Sequence, residues 1–123
     1  SLNSKLSDNY MEYSYPDDYC QNSSEVTGDV ITITQTGIYY VWVQGKVLTT
    51  SKSGFCELSI VVNGTLYPLD YVSNNGAAYP TMAGSMILKM GAGTQLYHRI
   101  YQNGGYGEIA TYRNLRLIKL KSY

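Results

Sequence analysis

Thr36-Gly37-Ile38-Tyr39-Tyr40-Val41-Trp42-Val43 is the stretch on which the fold turns. A Thr-Gly turn pair opens it, and an uncharged run of β-branched and aromatic residues follows, the types that fit a pleated surface. Side chains alternate along a strand, so Tyr39, Val41 and Val43 point one way while Tyr40 and Trp42 point the other. Large apolar side chains on both faces need cover on both sides. One face lines a core, and the other is a candidate for contact between subunits or for cover by loops.

Working outward, the chain from Val30 reads as short β-rich runs between Gly, Asn, Ser and Pro clusters, with hardly any helical periodicity. Val30 to Thr34 precedes the opening stretch, which extends as a strand from Ile38 to Thr50. Beyond the turn at Ser51 to Gly54, Cys56, Leu58, Ile60 and Val62 mark one face of the next strand. Asn63-Gly64 is a hairpin signal that returns the chain through Thr65, Leu66 and Tyr67. Ser73 to Ala78 is loop chemistry. Strands are predicted over Ser85 to Met90, Gln95 to Gln102 and Tyr112 to Lys121, parted by a turn at Gly91 to Thr94 and a Gly-rich loop at Asn103 to Gly107. About eight strands at this spacing predict an all-β sandwich or jelly roll.

Before Val30 the pattern differs. Leu2, Leu6, Tyr10 and Tyr13 fall at helical spacing, with Ser1 or Asn3 available as a cap. Two readings stand: a frayed terminus, or the last turns of a helical stalk. The expected organisation is therefore residues 1–13 as a helical end or linker and residues 14–123 as one head domain.

Length and charge narrow the class. A chain of 123 residues matches one domain, and nine basic against nine acidic residues, with no run of one sign, offer no cationic patch for nucleic acid or an anionic membrane. No apolar stretch approaches the roughly 20 residues of a spanning helix, so membrane insertion is not expected, and no signal peptide is visible. Fourteen tyrosines against one Phe and one Trp suit half-buried strands, subunit interfaces and wet recognition surfaces.

Thr36 to Val43 resembles the Gly-x-Tyr-Tyr-Phe strand of the globular heads of the first complement component and their tumour necrosis factor-like relatives. A second match follows in the right order. Ala83-Gly84-Ser85-Met86-Ile87-Leu88-Lys89-Met90 and Gly93-Thr94-Gln95-Leu96-Tyr97 are similar to that family's Gly-Ser-x-x-Leu-x-Leu and Gly-Asp-x-Val-x-Leu segments. Asn114-Leu115-Arg116-Leu117-Ile118 sits where the family has its closing strand, and Val62-Asn63-Gly64 resembles its central hairpin. Thr94 for Asp, Val41 for Phe, and Asn114 and Arg116 in the closing strand depart from the animal pattern. The Asn-, Gly-, Thr- and Tyr-rich, charge-poor composition looks more like the related heads that cap bacteriophage fibres and tail needles.

The resemblance implies a ten-strand-type jelly roll assembled as a homotrimer, with Tyr40 and Trp42 at the trimer interface. It also implies the distal head of a phage tail fibre or tail needle, part of the virion, that binds a host-surface glycan or protein receptor or plugs the tail tip. The alternative is a secreted complement-like or cytokine-like adaptor that binds a protein partner. Recognition is expected from the loops at Tyr71 to Met82 and Asn103 to Ala110.

Chemistry is sparse. The single histidine, His98, lies mid-strand between Tyr97 and Arg99 with no acidic neighbour, and no spacing among the acids singles out a catalytic pair. No catalytic residue, metal site or cofactor is predicted. Asp17 and Asp18 with Glu12 lack a calcium-loop pattern and read as a solvated acidic turn. Cys20 and Cys56 could pair only if the fold brings them together. Tyr97, Arg99 and Tyr101 share one strand face, opposite Leu96, His98 and Ile100. An arginine flanked by tyrosines suits a subunit seam or a small carboxylate ligand held there, or else it is an ordinary half-exposed strand residue.

Overall fold

A computed structural model describes residues 10–14, 20–21, 25–28, 30–47, 54–73, 81–102 and 109–122. Among the described residues ten strands form: β1 (Tyr10–Ser14), β2 (Cys20–Gln21), β3 (Glu25–Thr27), β4 (Ile31–Thr32), β5 (Gly37–Val47), β6 (Phe55–Val62), β7 (Thr65–Ser73), β8 (Thr81–Met90), β9 (Gln95–Gln102) and β10 (Ile109–Ser122). They build two five-stranded antiparallel sheets. The first has the order β1-β10-β5-β8, with β2 also on β10; the second has the order β3-β9-β6-β7, with β4 also on β9.

The opening stretch becomes β5, the central strand of the first sheet. Its Tyr39, Val41 and Val43 are fully buried and meet Leu115 and Leu117 of β10 and Met82 and Met90 of β8. From the facing sheet come Cys56, Leu58, Ile60, Leu96 and Ile100. Alternation along each strand thus delivers one layer of side chains from each sheet into a shared core.

Turn chemistry fixes the registers. Asn63 and Gly64 take φ values of 46° and 83°, the left-handed pair that a two-residue hairpin requires. Asn63 Oδ1 also accepts from the Gln95 amide at 2.9 Å, tying the hairpin tip to the start of β9. In the next turn Gly93 has φ 92°, and its amide donates to the Ile33 carbonyl at 2.7 Å.

Three expectations are corrected. Tyr10–Ser14 is a strand paired with β10, Tyr10 opposite Ile118 and Tyr13 opposite Leu115, and not the close of a helical segment. The reason lies in the spacing: residues four apart share a face in a strand as well as in a helix, so Leu6 and Tyr10 fit either. The head therefore takes in residues 10–13, and the boundary expected at 13/14 falls inside β1; residues 1–9 lie outside the described residues. Second, β1 to β3 were not legible as strands. At two to five residues each, they are too short for periodicity and exist by pairing with the long strands β10 and β9. Third, β7 and β8 reach further than predicted, to Ser73 and back to Thr81, so the expected recognition loop shrinks to residues 74–80, outside the described residues.

Cys56 is a buried free thiol on β6. Desolvation pushes its pKa from 9.0 up to about 11. A folded pKa above the unfolded one means that this stabilisation is whole below about pH 8.5 and is lost as pH climbs toward 11. Between pH 8 and pH 11 the protein should lose about 2–3 kcal/mol more unfolding free energy than its Cys56→Ala variant. Denaturant titrations of the two at several pH values check this; parallel curves would refute it.

Candidate functional site

Two outward faces remain once the core is accounted for. On the first sheet, register places Tyr40 between Ile87 of β8 and Ile118 of β10, and Trp42 between Ser85 and Arg116. Tyr40, Trp42 and Ile118 are half-buried, while Ile87 is 63% exposed. The Arg116 guanidinium lies 5.0 Å over the Trp42 ring, a cation–π contact that covers part of the indole. Beyond Trp42 the face turns polar: Gln44, Lys46, Thr81 and Asn114 line a shallow cavity of about 260 Å³, with Asn114 Nδ2 donating to Gln44 Oε1 at 3.2 Å.

On the second sheet, Tyr97, Arg99 and Tyr101 of β9 face outward and Leu96, His98 and Ile100 face the core, as the alternation predicts. Arg99 does not stand alone. Its Nε bonds to Glu25 on β3 and its Nη1 lies 3.6 Å from Glu57 Oε1 on β6, while its guanidinium sits 5.0 Å over the Tyr101 ring. The carboxylates that the sequence reading left to a ligand are in the first instance the protein's own. Ser59 Oγ adds a bond to Glu57 Oε1 at 3.1 Å. Phe55 stacks on Tyr71 with centroids 4.9 Å apart and lies 5.9 Å from Tyr101.

The two predicted groups therefore occupy opposite outer faces of the sandwich: Tyr40 and Trp42 on the first sheet, Tyr97, Arg99 and Tyr101 on the second. Sequence reasoning missed Glu25, Glu57, Phe55 and Tyr71. No local signal could have found them, since Glu25 reaches Arg99 across 74 positions. His98 is buried in the core face of β9, at 1% exposure. Among the described residues no three metal-ligating side chains come together.

Two five-stranded antiparallel sheets in this strand order make the chain a tumour necrosis factor-like jelly roll. No protein-family model and no curated protein matches the sequence. Solved structures do. The chain is similar to Eiger TNF from S. frugiperda, at 17% identity and TM-score 0.52 over 75% of this chain and 64% of that one. It is similar to murine APRIL at 18% identity and TM-score 0.54, over 76% and 74% of the two chains. The globular domain of zebrafish complement 1qA protein matches at 14% identity and TM-score 0.50, over 76% and 70%. At these identities the likeness establishes the fold.

Proposed function

We propose that this chain is a non-enzymatic binding head that works as a homotrimer, associating through the outward face of its first sheet. The observation that carries the reading is the apolar row Ile87, Tyr40 and Ile118 with Trp42 beside it, standing outside a core that is already closed without them. Contiguous large apolar side chains on an outer sheet face mark an interaction surface. A closed threefold assembly would bury this face in every copy and leave the second sheet and the loop-bearing end facing outward.

Two placements fit such a head. The charge-poor, tyrosine-rich composition favours the tip of a phage tail fibre or tail needle, attached to a virion and engaging a host surface. The similarity to TNF and complement globular domains favours a secreted adaptor that binds a protein partner. In both, recognition falls to the segments that join β7 to β8 and β9 to β10, residues 74–80 and 103–108. They leave from one end of the sandwich, where β7 and β9 finish and β8 and β10 begin.

Light scattering on the purified protein tests the assembly. The expected mass is three times the 13.7 kDa of one chain. Ile87→Glu, at a position 63% exposed and so cheap for the fold, and Trp42→Glu should each return it to one chain mass. A monomeric parent protein at micromolar concentration would refute the reading.

A further inference from the structure

The hairpin between β6 and β7 turns at Asn63-Gly64-Thr65, and all three residues are exposed. Asn63 is tied twice to the start of β9: its amide donates to the Gln95 carbonyl at 2.8 Å, and its Oδ1 accepts from the Gln95 amide at 2.9 Å. A backbone N–H only donates, so this contact fixes which side-chain atom is the oxygen and leaves Nδ2 on the other side of the carboxamide. The space around the turn is open, since a Cβ at Gly64 would meet nothing within 4 Å.

The turn accounts for Asn63 and Gly64, which supply its two positive φ values. The hydroxyl at the exposed Thr65 completes a second pattern. Asn-x-Thr, with x any residue but proline, is the acceptor triplet for N-linked glycosylation. Strand directions put this triplet at the end of the sandwich where β10 finishes and β5 begins, because Val62 pairs with Leu96 and Gly37 with both Met90 and Ser122. The segments joining β7 to β8 and β9 to β10 leave from the opposite end. The hairpin also belongs to the second sheet, so a bulky group on it covers neither those segments nor the face of Tyr40 and Ile87.

We propose that Asn63 is the acceptor of an N-linked oligosaccharide, carried at the end of the head remote from its recognition segments. The inference rests on the secreted placement of the binding head, since the sugar donor is met only on that route. In the transfer, Asn63 Nδ2 bonds to the anomeric carbon of a lipid-pyrophosphate-linked oligosaccharide. The bond from that carbon to the pyrophosphate oxygen breaks, Nδ2 gives up one proton, and lipid pyrophosphate departs. Oδ1 takes no part, so the bond from the Gln95 amide survives and the hairpin tip keeps its tie to β9.

The full chain, secreted from cultured animal cells behind a cleavable leader, tests this. Peptide maps of cell-associated and secreted protein are read before and after peptide N-glycanase, which leaves aspartate where a glycan stood. Mapping also separates Asn63 from the chain's other acceptor triplet, Asn22-Ser23-Ser24, which lies outside the described residues. Most of the parent chain should carry the glycan at Asn63. Thr65→Ser, which keeps the hydroxyl, should carry it too, and Thr65→Val, which keeps the shape without the hydroxyl, should lose it. A bare Asn63 in the parent chain overturns the proposal. Equal occupancy in the parent and Thr65→Val also overturns it, as does a glycosylated parent that stays aggregated in the cell while Thr65→Val is secreted folded. Light scattering on the enzyme-treated protein separates the two readings: a monomer that carried the glycan sinks only the trimer, and a trimer bare at Asn63 sinks only the glycan.

Discussion

Leu58→Ala should lower the unfolding free energy by about 2–5 kcal/mol, a loss readable as an early midpoint in denaturant with an unchanged slope. Leu58 is fully buried at the centre of β6, itself the inner strand of the second sheet between β9 and β7. Its side chain belongs to the core layer with Ile60 and Ile100 and lies near Gly45 of the facing sheet: a Cβ placed on Gly45 would sit 3.5 Å from Leu58 Cδ1 and 2.6 Å from Ile100 Cδ1. Strands of both sheets hold those neighbours, so they cannot collapse into the space a truncation leaves. The cavity term therefore adds in full to the lost transfer energy. A change below 1 kcal/mol would mean that the sheets do not share this core.

Gly84→Ala is the second large effect, and its direction runs against the usual rule. Alanine for glycine in a strand normally stabilises by about 0.4–1 kcal/mol through the unfolded chain. Here a Cβ at Gly84 would lie 2.7 Å from Leu69 Cβ and 3.0 Å from the Leu69 carbonyl oxygen, so backbone must move to admit it. Leu69 is the extra residue of a register shift: Leu58 faces Asp70 and Ser59 faces Pro68, leaving Leu69 between them. Such a bulge bends edge strand β7 toward β8 of the other sheet. Asp70 locks the junction, its Oδ2 accepting from the Ala83 amide at 3.0 Å and its Oδ1 from the Tyr71 amide at 2.8 Å. Forcing β7 and β8 apart should cost about 1–3 kcal/mol. Gly91→Ala is the matched control: its Cβ would meet only Thr36 Oγ1 at 3.9 Å and its φ is not positive, so the cost should be smaller. Thermal melts of both variants check the order, and equal melting temperatures would show that the β7–β8 junction yields freely.

Much of this molecule is legible one residue at a time. The alternation of Tyr39, Val41 and Val43 against Tyr40 and Trp42, the Asn63-Gly64 turn, the span of β9 and the inward placing of His98 follow from a period of two and from which residues accept a positive φ. These are properties of a chain and its immediate neighbours. They determined the fold class and the orientation of the side chains on each long strand.

Only tertiary structure decided the rest. The short strands β1 to β3 exist because β10 and β9 offer them hydrogen bonds, a fact about distant partners that a segment of two to five residues cannot encode. Which sheet each strand joins put Tyr40 and Arg99 on opposite sides of the sandwich. The same choice brought Glu25, Glu57, Tyr71 and Tyr101 into one row from four separate strands. A strand's own sequence sets which side chains share a face; the pairing of sheets, driven by burial of the whole core, sets what those side chains meet.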